Sequence, residues 1–157
     1  MIRSMRMGLI IIALCFIFIQ CQKNRGSGES AKTVETIQWT NDLVDGFQRA
    51  EEKNKALMVE FTADWCPYCR MMEDSVFSRP EVIRKAGQFI PVRIDVDKQP
   101  EIANHYQANA RKYGGSGIPN VLFMNSDGEK LMHLVGYMNE LEFLAKMDSV
   151  LVIRQNQ

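Results

Sequence analysis

The chain has 157 residues, with 19 basic and 19 acidic side chains and a formal net charge of zero. That length carries one cored domain and a short appendage, and the ordinary apolar and charged fractions mark a globular chain. The balance excludes the basic excess of a nucleic-acid binder, so no nucleic-acid partner is expected.

The N-terminus is a different material. Arg3 and Arg6 precede Gly8–Ile19, "GLIIIALCFIFI", a run without charge. It is short of the ~20 residues of a membrane-spanning helix, and it has the signal-peptide order of basic flank, apolar run and polar break. With Cys21 at the polar boundary, residues 1–21 resemble a bacterial lipoprotein signal. That resemblance implies lipidation at Cys21; an uncleaved N-terminal anchor is the alternative. Both place the domain on the periplasmic side of a Gram-negative-type membrane, where disulfide chemistry is routine. Residues 22–35 begin "QKNRGSGESAK" and read as a flexible linker. Residues 36–157 are the expected domain.

Within it, Asn41 or Asp42 can cap a helix running to about Asn54, with Leu43, Phe47 and Ala50 on one face. Ala56–Thr62 is a short apolar strand. A helix follows from about Cys66 to Val76, and Pro80 opens a shorter one. Phe89–Asp97 is a strand, and Pro100 starts a helix reaching about Gln107. "KYGGSGIPN" is a loop. Val121–Asn125 is a strand, Asp127-Gly128 a turn, and "KLMHLVG" the returning arm of a hairpin. A closing helix spans "NELEFLAKMDSVLV", with Leu141, Leu144, Ala145 and Val152 among its apolar positions. Strands alternating with helices give parallel pairing in the first half, and the hairpin adds an antiparallel edge. The fold class is α/β, a mixed sheet flanked by helices on both faces.

Cys66 and Cys69 form a C-x-x-C between the first strand and the next helix. Haem attachment needs a histidine after the second cysteine, and Arg70 stands there. Structural zinc wants four ligands, and His105 and His133 are far from the pair and from each other in sequence. No metal site is expected. A staple closing a two-residue loop constrains the unfolded chain little. Redox exchange has a positive mechanism. Cys66 lies at a helix N-terminus, where free N–H groups and the helix dipole favour a thiolate. Cys69, one turn on, is within disulfide reach. Pro67 suits the first turn. An exposed Cys66 attacks a substrate disulfide, and Cys69 resolves the mixed disulfide.

"EFTADWCPYC", "KYGGSGIPN" and "LVGYM" resemble, in order and spacing, the thioredoxin superfamily. The likeness runs from about Leu57 to about Leu151. "ADWCPYCRMMEDSVFSRPEV" is most similar to the C-terminal domain of bacterial thiol–disulfide interchange proteins and to thioredoxin-like lipoproteins. The resemblance implies a thioredoxin fold and roles for further residues. Glu60 matches a buried acid; a buried carboxylate is hard to ionise and can trade a proton with Cys69. Pro119 matches a cis-proline that leaves the Ile118 backbone to pair with an extended substrate. Trp65 shields the cysteines or is simply core, and Tyr68 lies between them in a dipeptide seen in glutaredoxins.

These readings imply a protein-disulfide oxidoreductase, a reductase in direction, acting on protein disulfides outside the cytoplasm. It needs no cofactor beyond the Cys66–Cys69 couple. No nucleotide-binding glycine fingerprint is present, so a membrane-embedded or thioredoxin-like partner supplies electrons. A monomer is expected. The alternatives are a non-catalytic binding or assembly module on the same fold, and a metal-handling dithiol protein.

Overall fold

A computed structural model of the chain describes residues 36–112 and 117–156. The expected signal segment 1–21 with Cys21, the linker 22–35, and Gly114 and Gly115 lie outside the described residues. In chain order the elements are α1 (Leu43–Glu52), β1 (Leu57–Thr62), α2 (Pro67–Met72) continued by a π-turn (Glu73–Phe77), α3 (Pro80–Ala86), β2 (Ile90–Asp95), α4 (Pro100–Lys112), β3 (Asn120–Met124), β4 (Lys130–Val135) and α5 (Glu140–Gln155).

The sheet order is β2-β1-β3-β4. β2 runs parallel to β1, β3 antiparallel to β1, and β4 antiparallel to β3. The central strand β1 is covered on both sides, which explains why "LMVEF" shows no apolar–polar alternation. Its side chains still alternate in direction. Leu57, Val59 and Phe61 join Ile90, Val92, Ile94 and Leu122 under α1 and α4. Met58 points the other way, with Val121, Phe123 and Leu134, into the layer of α2, α3 and α5. Glu60, two residues past Met58, therefore faces the α2 layer. By the same count Arg93 lies opposite Val92 and Ile94, and it is the register partner of Glu60.

Local sequence sets the ends of the elements. Asp42, not Asn41, caps α1 and accepts from the N–H groups of Val44 and Asp45. Gly46 lets α1 lie close on β2: an added Cβ would meet Val92 Cγ2 at 2.6 Å. Asn139 and Glu142 form a reciprocal capping box at α5.

Three expectations are corrected. The helix after the cysteines is not α-helical to Val76. Past Met72 it widens into the π-turn, where the Ser78 N–H reaches the Glu73 carbonyl at 3.1 Å, and the Ser75 hydroxyl bonds the Met71 carbonyl at 2.6 Å. The helix opened by Pro100 runs to Lys112 rather than Gln107, since "ANARK" is rich in good helix formers. The buried face of α5 carries Phe143, Met147 and Val150, whereas Leu141, Ala145 and Val152 are exposed. Leu144 packs at the margin of the core.

Candidate active site

Cys66 and Cys69 are joined by a disulfide, with Cα atoms 5.3 Å apart. The two positions follow from the turn between β1 and α2. Cys66 is the N-cap of α2, its N–H bonded back to the Ala63 carbonyl at 3.1 Å, and its Sγ accepts the Cys69 N–H at 3.1 Å. Sulfur thus occupies the place where a serine or threonine oxygen normally satisfies an orphan amide. Negative charge developing on Cys66 Sγ meets that N–H and the positive end of the helix. Pro67 is the first helical residue and has no N–H to leave unpaired.

Cys66 was expected to be exposed. It is 2% exposed and Cys69 3%. Together with Ala63 they form a small apolar cluster against Val96 and Ile118, so the bonded sulfurs sit in the seam between α2 and the loops after β2 and before β3. Trp65 is not core: it is 62% exposed, its indole N–H donating to an Asp97 carboxylate oxygen at 2.7 Å. Tyr68 is 58% exposed, and Met71 and Tyr137 are exposed as well. Ser75 Oγ and Tyr137 Oη, 3.2 Å apart, tie the π-turn to the segment after β4. The Ile118–Pro119 bond is cis. Pro119 is buried, and its carbonyl accepts the Gly136 N–H at 2.8 Å.

Glu60 is 1% exposed. Its Oε2 accepts from Arg93 Nε at 2.6 Å, and Arg93 Nη2 donates to Glu73. The Arg93 guanidinium also lies over the Trp39 ring, 4.4 Å from its centroid. Burial pushes the Glu60 carboxyl up to about 7; the charge and hydrogen bond of Arg93 hold it down, and the Glu73 carboxylate adds to the rise. An ion pair this short would by itself keep a carboxylate ionised. Here desolvation outweighs it, and Arg93 is divided between two acids.

Glu60, Cys69, Glu73 and Arg93 line one open cavity of about 1100 Å³, bounded on its far side by the start of α1. The cavity reaches the disulfide at Cys69; Cys66, Trp65 and Tyr68 do not line it. The sequence reading missed Arg93, Trp39 and Asp97. A signal for Arg93 existed: "LMVEFT" carries a lone carboxylate in an apolar strand, and "IPVRID" carries a cation inside the next one.

The histidines are not gathered at the cysteines. His105 stacks edge-on against Tyr106 on α4, and His133 pairs with Leu122 across β4 and β3. Among the described residues no group of three or more His, Cys, Asp or Glu side chains could hold a metal ion. Among the same residues no helix is long and apolar enough to cross a membrane.

A disulfide between a helix N-cap and the residue one turn on, set at the end of the central strand of this mixed sheet, defines a disulfide oxidoreductase of thioredoxin fold. A family model for the thioredoxin-like domain matches residues 43–151, and the chain belongs to that family. It is 30% identical over 124 residues to the thiol:disulfide interchange protein DsbD of Vibrio cholerae, covering 74% of this chain and 20% of that one. The chain thus spans about a fifth of the length of the curated relatives it matches. Among solved structures it is similar to a thioredoxin from Thermus thermophilus (TM-score 0.61, 28% identity, 74% of this chain and 88% of that chain). It is also similar to the reduced C-terminal domain of DsbD from Neisseria meningitidis (TM-score 0.54, 28% identity, 68% of this chain and 91% of that chain).

Proposed function

We propose that this protein reduces protein disulfides outside the cytoplasm while tethered to a membrane through Cys21. The observation that carries the reading is the Cys66–Cys69 disulfide with Cys66 as helix cap and Cys69 on the cavity of a buried carboxyl. In the reduced protein the Cys66 thiolate attacks one sulfur of a substrate disulfide, forming a mixed disulfide and releasing the other substrate sulfur as a thiolate that takes up a proton. Cys69 then attacks Cys66 Sγ. Its thiol proton passes to Glu60, the Cys66–Cys69 bond forms, and the second substrate sulfur leaves. Two electrons have moved to the substrate, which is reduced, and the Cys66–Cys69 pair is oxidised.

Trp65, Pro67, Tyr68, Ile118 and Pro119 form the substrate surface, and Met71 and Tyr137 extend it. The rigid, half-apolar rings bury area at low entropic cost. The backbone at Ile118, packed against the disulfide cluster, pairs with an extended substrate segment. Electrons return from a second dithiol protein, membrane-embedded or thioredoxin-like; the likeness to proteins named for thiol:disulfide interchange supports such an exchange.

The test has two parts. Equilibration of the Cys66–Cys69 couple with dithiothreitol or glutathione buffers gives its potential; a value near thioredoxin's, about −270 mV, supports a reductase, and one near −120 mV reverses the direction. In Cys69→Ser the resolving step is lost and mixed disulfides with substrates accumulate at Cys66. Absence of any trapped partner from cells, with a reversible couple lacking as well, hands the protein to the binding-module alternative.

A further inference from the structure

One arginine here serves two carboxylates of different depth. The Arg93 fork gives Nε to Glu60, which is buried, and Nη2 to Glu73, which is half exposed. The guanidinium has little freedom to choose between them. Trp39 covers its face, and Trp39 is itself held edge-on by Phe77 at 5.4 Å. Glu73 reaches Arg93 from the first residue of the π-turn.

The other charged groups on the cavity are already engaged. Asp42 caps α1. Asp95 pairs with Lys98 at 2.6 Å, Lys98 also faces the Asp64 carboxylate at 3.8 Å, and Arg70 donates to the Asp64 carbonyl at 2.6 Å. Beyond its burial, the Glu60 carboxyl therefore answers to Arg93 and to Glu73. A carboxylate with an arginine to itself would stay ionised throughout the neutral range; one buried without a cation would stay protonated well above it. Proton exchange with a thiol needs neither extreme.

We propose that Glu73 is a positioning residue: by claiming part of the Arg93 fork it sets the proton affinity of Glu60. Its bearing on catalysis rests on the proposed role of Glu60 as proton partner of Cys69. Both effects of removing Glu73 have one sign. The opposing negative charge disappears, and Arg93 is left wholly to Glu60, so Glu60 holds its proton less tightly.

The experiment follows the Glu60 side-chain carboxyl by carbon NMR through a pH titration of the full chain. The proteins compared are the parent, Glu73→Gln and Glu73→Asp. The expected result is a Glu60 midpoint lower by about one unit in Glu73→Gln, partly restored in Glu73→Asp. A midpoint unmoved or raised in Glu73→Gln overturns the proposal. In parallel, the pH profile of disulfide reduction is recorded for Glu73→Gln and Glu60→Gln. If the Glu60 midpoint falls in Glu73→Gln while both profiles stay those of the parent, the division of Arg93 is upheld. The reading of Glu60 as proton partner of Cys69 then fails on its own.

Discussion

Glu60→Gln removes a titrating group from the centre of the sheet while keeping its shape and one acceptor for Arg93. Arg93 is not orphaned, because Glu73 and the Trp39 ring remain. In the parent, folding raises this carboxyl from its ordinary 4.5 to about 7. Between those values the folded state binds a proton that the unfolded state has lost, so stability falls as pH rises through the window and is low above it. The full displacement corresponds to about 3 kcal/mol. The variant carries no such penalty. It is expected to match the parent near pH 4.5, and to exceed it by about 3 kcal/mol above pH 8. Urea unfolding of the oxidised proteins at a series of pH values measures this directly, through transition midpoints at constant slope. Equal stability of parent and variant above pH 8, or a parent that gains on the variant as pH rises, refutes the argument that desolvation outweighs Arg93.

Two further predictions concern the scaffold. Gly46→Ala forces a methyl onto Val92 in the middle of β2; overpacking of this kind costs about 1–3 kcal/mol, read as a lower urea midpoint. Phe143→Ala empties a fully buried site on α5 that meets Phe77 and Phe123, and is expected to cost about 3–5 kcal/mol by the same assay while leaving the Cys66–Cys69 potential unchanged.

Element order was legible because punctuation marks it: Pro80 and Pro100 open helices, Asp42 caps one, and Asp127-Gly128 turns a hairpin. The C-x-x-C and Glu60 were legible because each is chemically out of place in its setting. The inner face of α5 was not. Apolar residues surround most of that helix, so periodicity gives it no direction, and only the packing of Phe143 against Phe77 and Phe123 chooses one. The direction of β3 was equally hidden, because alternation does not encode which way a neighbouring strand runs. Arg93 needed a register: its partner is 33 residues away in sequence and directly beside it in the sheet. The depth of Cys66 depends on Val96 and Ile118 closing over it from distant segments.

That depth has a consequence for selectivity. Equilibrium with a pool of small thiols is indifferent to access, but the rate of reaching it is not. Cysteines only 2% and 3% exposed are expected to exchange slowly with anything that must find its own way in. A macromolecule seated on the exposed Trp65 and Tyr68 rings arrives already aligned, its attack made effectively intramolecular. On the proposed function the couple is thereby insulated: electrons would pass along protein contacts and leak little to the surrounding solution, and discrimination between partners would be a matter of kinetics before it is one of potential.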